Sequence, residues 1–165
     1  KWKGKAVESV PEFGLMLTLP AEYRNVAYYG MGPGETYSDF TSGAHMGLFG
    51  FDAHTALQPY FNPQESGART GVQAAAVTDA AGFGLCLAGN GFMLSALPYT
   101  PHEVENARRQ YELPPKVKTV VRCAKGQLGV AGDNTWGAGP HAEYHVALEK
   151  GETFRFTFGG MGGNG

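Results

Sequence analysis

Short segments in which apolar and polar residues alternate recur along the whole chain. The clearest alternation covers residues 13–19, 117–123, 143–148 and 153–158. A period of two predicts strands that have one face in a core and one face in water. Five further apolar runs bounded by turn residues predict more strands, at 26–29, 56–61, 71–78, 83–87 and 92–97. The pattern therefore predicts about nine short, mostly antiparallel strands.

One segment departs from this pattern and predicts the single helix. Thr100 is a suitable N-cap, Pro101 suits the first helical position, and Glu103 completes a capping box. We expect a short helix over residues 101–109 that ends before Pro114, because proline cannot continue a helix. Many strands with one helix favour an all-β fold, an antiparallel β-sandwich, over a βαβ arrangement.

Two glycine-rich regions show no clear period. Residues 33–56 predict a long loop, and loops of this length in a compact domain usually cover or build a site. Residues 159–165 predict a flexible glycine-rich tail. The length of 165 residues and the absence of a linker-like stretch predict a single domain over residues 1–158.

The composition narrows the classes of function. The 25 glycines and 10 prolines fit a fold with many turns, whereas 42% apolar residues are too many for a disordered chain. The net charge of −2 and the lack of a basic run argue against a nucleic-acid partner. No apolar stretch reaches the roughly 18 residues of a membrane span, and residues 1–10 lack the apolar core of a secretory signal. We therefore expect neither nucleic acid nor a membrane as a partner.

The chain offers few residues for metal, redox or nucleophilic chemistry. Cys86 and Cys123 lie far apart in apolar, strand-like runs, which favours buried free thiols over a disulfide. Free thiols favour a cytoplasmic location and leave periplasm and secretion open. The five histidines form no ligand-spaced motif, so no metal site and no cofactor are expected in this chain. No Gly-x-Ser-x-Gly sequence is present to suggest a nucleophilic serine.

Carboxylates in loops are the remaining candidates for acid/base chemistry. Glu35, Asp39, Glu65, Asp133 and Glu143 all lie in or beside predicted loops. Two carboxylates that approach each other could act as an acid/base pair, but the sequence does not decide which of these meet. No catalytic residue is assigned.

Trp136 is the aromatic residue best placed to meet a ligand. It lies in a loop-forming segment with glycines on both sides, beside Asp133 and Asn134. A sugar ring presents an apolar C–H face that packs on an exposed indole, and its hydroxyls need polar partners. From the residues alone the alternative is a core tryptophan, because large aromatic side chains are usually buried.

Four motifs occur in the order in which a known enzyme family has them. They lie at 29–37 (YGMGPGETY), 59–70 (PYFNPQESGART), 92–100 (FMLSALPYT) and 129–137 (GVAGDNTWG). With these motifs, the helix and the YELP segment at 111–114, the chain resembles the C-terminal domain of glycoside hydrolase family 2 β-galactosidases. In some bacteria this region is a separate small subunit. The resemblance extends over residues 13–158.

The resemblance implies a fold and a function. It implies the C-terminal portion of a galactose-mutarotase-like supersandwich, so open strand edges, exposed apolar surface and a homo-oligomer are expected. Enzymes of the family hydrolyse terminal β-D-galactosides with retention, using two glutamates of a TIM-barrel domain that often also holds Mg and Na. That catalytic domain is the implied partner and a β-galactoside the implied ligand. The chain alone is predicted to be inactive.

The resemblance also assigns roles to single residues. Trp136 matches a tryptophan that packs against the sugar at the mouth of the family's active site. Trp136, Asp133 and Asn134 are therefore the expected substrate-binding residues, with the two polar residues shaping the loop.

Three further residues are expected to anchor neighbouring loops. They are Glu35, Glu65 and Arg69, and Glu65 is predicted to pair with Arg69 inside a buried turn. The chain departs from the family at Phe40, where arginine is common, and at Ala68, where asparagine is common.

Three other functions stay open at this point. An independent carbohydrate-binding module would form an aromatic platform from residues such as Tyr37, Tyr60 and Tyr99. An aldose-epimerase-like enzyme would bring His54 and Glu65 to one pocket as acid and base. A purely structural portion would bury the loop tryptophan in the core.

Overall fold

Seven strands and one short α-helix make up the part of the chain that the computed structural model describes, residues 9–134, 136–147 and 153–162. The strands are β1 (Glu12–Pro20), β2 (Asn25–Gly32), β3 (His45–Asp52), β4 (Ala68–Thr78), β5 (Gly84–Leu97), β6 (Lys118–Gln127) and β7 (Phe156–Met161). The helix α1 covers Pro101–Asn106. None of the helices in these ranges is long and apolar enough to cross a bilayer.

All strand pairs are antiparallel and belong to one sheet, in the order β1-β6-β5-β4-β2-β3. Strand β5 organises the sheet because it pairs with β4 on one side and with two strands on the other. Its C-terminal half, Met93 to Leu97, pairs with β6, and its N-terminal half, Gly84 to Gly89, pairs with β7. The predicted all-β, antiparallel fold with one short α-helix is confirmed, and it is consistent with a β-sandwich.

The main core lies on one side of this sheet, which we call the inner face. Its large buried residues come from four strands, β2, β4, β5 and β6: Val26, Tyr28, Val72, Val77, Leu87, Phe92, Leu94 and Val121. His54, just after β3, contacts the carbonyl of Lys118 at 3.1 Å and the hydroxyl of Thr119 at 3.2 Å, both on β6. Because three strands separate β3 from β6 in the sheet, these contacts show that the sheet curls around its inner face.

The opposite side of the sheet, the outer face, is covered at one end by the loop after β2. There Tyr37, from the loop after β2, packs with Ala68, Met93 and Ala124 in a second buried cluster. This cover explains why β5 and β6 are buried on both faces over residues 92–97 and 119–124. Strands covered on both sides are apolar throughout, which matches the run FMLSAL in β5.

The predicted loop 33–56 contains one strand that the sequence pattern does not indicate, because glycines interrupt its alternation. The structure places β3 there, paired with β2 along its whole length, so the loop prediction is wrong over residues 45–52. In β3, Gly47 and Gly50 stand where polar or apolar side chains would have marked an alternation. Pairing with β2 supplies the stability that the local sequence lacks.

Several other predicted boundaries differ from the structure. Segment 56–61 is irregular, and candidates 83–87 and 92–97 form the single long strand β5. Segment 143–148 forms a 3-10 turn at Ala142–Tyr144 and one bridge between Val10 and Val146, while residue 148 lies outside the described residues. Residues 159–161 of the predicted tail pair with β5 as part of β7, and residues 163–165 are outside the described ranges.

The predicted helix is present but shorter than expected. Its capping box is formed: the Glu103 N–H donates to Thr100 Oγ1 at 3.2 Å, and Glu103 Oε2 accepts from the Thr100 N–H at 2.7 Å. The helix ends at Asn106, and the next turn at Gln110–Glu112 is a separate 3-10 helix. The prediction of 101–109 is therefore wrong at its C-terminal end.

Candidate functional site

Of the aromatic side chains that the structure describes, the most exposed lies in the segment that follows β6, residues 129–138, which we call the Trp136 loop. Residue 135 of this loop is outside the described ranges. The base of the loop is fixed by Asp39, whose Oδ2 accepts a hydrogen bond from the Ala131 N–H at 2.7 Å. A Cβ atom at position 129 would lie 2.4 Å from Asp39 Oδ2, so glycine at this position makes the close approach possible. The loop is therefore attached to the segment between β2 and β3.

The loop also closes on itself. A Cβ at Gly132 would lie 1.9 Å from the carbonyl oxygen of Ala138, so the two backbone segments meet at this point. Gly137 has φ +103°, a conformation that residues with side chains rarely adopt. These two glycines permit the sharp turn of the backbone that brings Trp136 to the surface.

Trp136 is held at the backbone while its side chain is free of protein cover. The Trp136 N–H donates to Asn134 Oδ1 at 2.8 Å, which is a local turn of the kind that asparagine side chains form. The indole is 93% exposed. The structure thus places the tryptophan on the surface, in contradiction to the alternative of a core residue.

Asp133 closes the outer part of the loop through an ion pair. Both of its carboxylate oxygens lie 2.9 Å from Nε2 of His141. The hydrogen bond that His141 donates to this carboxylate raises the pKa of His141, and the negative charge of the carboxylate adds to the effect. His141 also stacks on Tyr144, with 6.5 Å between ring centroids. Two polar side chains, Asp133 and His141, therefore lie within the same short segment as the exposed indole.

This arrangement offers a surface to which a ligand could bind. An exposed indole flanked by an amide and a carboxylate can pack on a sugar face and accept hydrogen bonds from hydroxyls. Within the described residues, no three His, Cys, Asp or Glu side chains converge as metal ligands. The loop is therefore a candidate ligand contact that works with groups supplied from elsewhere.

Glu35 contacts the turn that leads into β4. Its Oε2 accepts from the Gly67 N–H at 2.6 Å, and its Oε1 accepts from the Tyr60 hydroxyl at 3.3 Å. Gly67 has φ +81°. The predicted anchor residue thus bonds to two points of the loop 58–67.

Glu65 is part of a buried charge network, but its partner is not the predicted one. Its Oε1 lies 2.5 Å from Nη2 of Arg122 on β6 and accepts from the Tyr37 hydroxyl at 3.0 Å. The other guanidinium nitrogen of Arg122, Nη1, contacts Glu12 of β1 at 2.6 Å. Arg122 is only 4% exposed. The predicted pair of Glu65 with Arg69 is therefore wrong.

Arg69 has a separate role in the core. Its Nε donates to the Tyr28 hydroxyl at 3.1 Å, and its guanidinium carbon lies 4.9 Å above the ring centre of Phe51. It also donates to the carbonyl of Ala68 at 3.0 Å. Arg69 thus links β4 to Tyr28 of β2 and to Phe51 of β3.

The pocket needed for an aldose-epimerase-like site is not formed. Glu65 lines a cavity of about 320 Å³ together with Arg122, Tyr99 and Val104. His54 is absent from that lining and bonds to β6 instead. The two residues proposed as acid and base are therefore engaged with different partners.

Sequence reasoning did not foresee three of the residues that define these sites. In the sequence, Asp39 is one of several loop carboxylates, no pattern indicates a role for His141, and Arg122 is one residue of a predicted strand. Each role depends on a contact with a residue elsewhere in the chain. The partner of Asp39 lies 92 positions away, that of His141 lies 8 positions away, and that of Arg122 lies 57 positions away. The only local signal was glycine at position 129, which leaves room for the Asp39 carboxylate.

Comparison with known proteins identifies the group of enzymes to which the chain is related. The family model of the β-galactosidase small chain matches residues 1–159. A β-galactosidase of Halalkalibacterium halodurans is 39% identical over 157 residues, which cover 94% of this chain and 15% of that enzyme. A β-galactosidase of Streptococcus thermophilus is 36% identical over 160 residues, with 95% and 15% coverage.

A separate small subunit is also similar. The β-galactosidase small subunit of Latilactobacillus sakei is 29% identical over 160 residues, which cover 90% of this chain and 50% of that subunit. The chain thus spans about 15% of the longer relatives and half of the small subunit. The chain belongs to the β-galactosidase small-chain family, as a small C-terminal domain or part of a small subunit.

Proposed function

We propose that this chain is the non-catalytic C-terminal portion of a β-galactosidase and that its Trp136 loop completes the sugar-binding site. In this proposal a catalytic TIM-barrel domain supplies the two glutamates of a retaining mechanism and the Mg and Na sites, and the ligand is a terminal β-D-galactoside. Trp136 packs on the sugar from the side of this chain.

The observation that carries the proposal is the 93% exposure of Trp136 on a loop held by Asp39, Asn134 and two glycines. Exposing an indole to water costs free energy, since an equivalent buried side chain would be worth about 1.5–3 kcal/mol. A well-anchored loop that nevertheless presents an indole favours a ligand contact. The neighbouring Asp133 and Asn134 shape the loop through the hydrogen bonds described above.

The alternative of an independent carbohydrate-binding module has less support. Its aromatic platform would need several exposed rings, but Tyr37 and Tyr99 are buried. Tyr60 remains 43% exposed, and its hydroxyl bonds to Glu35. One exposed indole gives too little contact area to bind a sugar measurably unless a second protein surface contacts the other side of the sugar.

Calorimetry on the isolated chain and kinetics on the assembled enzyme separate the two functions. The proposal expects no measurable heat when the isolated chain is titrated with galactose or lactose. In the assembled β-galactosidase, Trp136→Ala should raise KM for a galactoside about tenfold, because about 60 Å² of lost apolar contact is worth about 1.5 kcal/mol. Trp136→Phe retains a ring and is the matched control. Millimolar binding by the isolated chain would favour the module instead.

A further inference from the structure

Part of the outer face of the sheet is apolar, uncharged and largely exposed. Directly paired residues on adjacent antiparallel strands point to the same side of a sheet, so the strand register defines its rows. One row crosses five strands as Leu48, Tyr29, Ala74, Ala88 and Thr157. The next row is Gly50, Ala27, Ala76, Cys86 and Gly159. We call these two rows, together with the adjacent pair Met31 and Met46, the alanine face.

Burial along each strand confirms that the alanine face lies opposite the core. In β2, Val26 and Tyr28 are buried, whereas Ala27 and Tyr29 between and beside them are exposed. The same alternation occurs in β4, β5 and β3. Leu48 is 78% exposed, the highest value for a large apolar side chain on this face.

The residue types on this face are wrong for a surface that stays in water. An antiparallel sheet with one solvated face normally carries polar residues there. The two rows contain no charged residue, and their only hydroxyl groups are those of Tyr29 and Thr157. Alanine and glycine also make a shallow surface with room for large side chains of a covering layer.

The size of the alanine face indicates what kind of partner covers it. Strands lie about 4.8 Å apart and same-face residues about 6.8 Å apart, so the face measures about 350 Å². Two copies of this chain meeting through it would bury about 700 Å² in total, below the roughly 1,200 Å² of specific stable interfaces. A partner held in the same enzyme needs less area, because tethering raises its effective concentration and interfaces within one chain start near 600 Å².

From these observations we infer that the alanine face is an internal interface, covered by an apolar layer of the β-galactosidase lying outside the region aligned with this chain. This inference rests on the proposed function. Its occupant carries large aliphatic or aromatic side chains that seat over Ala27, Ala74 and Ala76. The relatives have the chain needed for it, since half of the small subunit and about 85% of the longer enzymes lie outside the aligned region.

The chain carries its own probe for this interface. Cys86 lies on the alanine face and is partly exposed, whereas Cys123 is buried in the core. Iodoacetamide should alkylate Cys86 readily in the isolated chain and at least an order of magnitude more slowly in the assembled, active enzyme. Peptide mass spectrometry reports each cysteine separately. A cysteine introduced on α1 by His102→Cys lies off the face and should react at the same rate in both.

A charged substitution gives a second, independent readout. Ala74→Glu should leave the unfolding midpoint of the isolated chain unchanged, because Ala74 is exposed there, but should reduce recovery of assembled enzyme. Asn106→Glu, at the exposed end of α1, is the matched control and should assemble normally.

Two results would overturn the inference. One is Cys86 that reacts equally fast in the isolated chain and in active enzyme. The other is a stable dimer of the isolated chain that Ala74→Glu converts to monomer in light scattering, since a second copy would then be the occupant. Either result leaves the kinetic test of Trp136 unaffected. Conversely, Cys86 protection with an unchanged KM for Trp136→Ala would remove the proposed sugar contact and keep the interface.

Discussion

The Asp133–His141 pair links the Trp136 loop to the segment that follows it through exposed side chains. The carboxylate raises the pKa of His141 in the folded loop above the value of 6.5 for an isolated histidine. A histidine whose pKa is higher in the folded chain than in the unfolded chain contributes its full stabilisation at pH values below the unfolded-state pKa. This stabilisation is lost as the pH rises through the folded-state pKa. The loop should therefore be best ordered in mildly acidic solution and looser at alkaline pH.

Replacing the carboxylate tests this account. Asp133→Asn should lower the pKa of His141 towards its ordinary value, as measured by NMR titration of the imidazole ring in the isolated chain. Asn134→Ala leaves the carboxylate in place, so it should leave the His141 titration unchanged. An Asp133→Asn variant that titrates like the original chain would show that the pair does not form in solution.

Residues whose roles depend on near neighbours could be predicted from the sequence, and residues with distant partners could not. Trp136 was correctly placed in a loop because glycines at 129, 132 and 137 flank it. The sequence predicts Arg69, four residues away, as the partner of Glu65, whereas the actual partner, Arg122, lies 57 residues away. Only the register of the strands brings Arg122 to that position, and no local pattern encodes that register.

At the level of elements, Arg122 connects three parts of the chain. It projects from β6 to Glu12 at the start of β1 and to Glu65 in the loop before β4. Burial raises the pKa of Glu12, and the charge of Arg122 only partly offsets this effect. Without the arginine, two carboxylates would face each other with little water.

Arg122→Ala should therefore destabilise the isolated chain by about 3 kcal/mol, the cost of leaving buried charges unpaired. Urea unfolding followed by circular dichroism measures this loss. Arg24→Ala removes an arginine from an ion pair with Asp52 whose side chains are 41% and 36% exposed, and should cost less than about 1 kcal/mol. Equal losses in the two variants would contradict a structural role for the Arg122 network.

The capping box of α1 gives a smaller, local effect. Burial raises the pKa of Glu103, but hydrogen bonds from Lys118 and Thr100 outweigh it and lower that pKa overall. Thr100→Ala should cost about 1 kcal/mol of unfolding free energy, whereas Thr100→Ser keeps the hydroxyl and should cost much less. If serine and alanine destabilise the chain equally in urea titrations, the hydroxyl does not cap the helix.

The strands show what local pattern can and cannot predict. Strands β1, β2, β4 and β6 were found because their apolar residues alternate or cluster between turn residues. Strand β3 was missed because glycines interrupt its pattern, and β7 begins three residues later than its alternation because pairing with β5 defines its start. Segment 143–148 alternates, yet among its described residues only Val146 forms a bridge, because a pattern does not provide a neighbouring strand.

At the scale of the whole molecule, the described residues fold around their own core but expose an indole and an apolar sheet face. Both features fit a part of a larger enzyme. The purified chain should therefore release no product from a chromogenic β-galactoside above the rate of a buffer blank. β-Galactosidase activity that copurifies with the chain through two chromatography steps would contradict the proposal that the catalytic groups lie outside this chain.

The most direct test of the central claim is the affinity of the assembled enzyme for a non-hydrolysable β-thiogalactoside, measured by calorimetry. The account predicts that Trp136→Ala weakens binding about tenfold, equivalent to about 1.4 kcal/mol, while the thermal unfolding midpoint is unchanged. Trp136→Phe should retain most of the affinity. If the original enzyme and Trp136→Ala have the same dissociation constant, Trp136 of this chain does not contact the bound sugar.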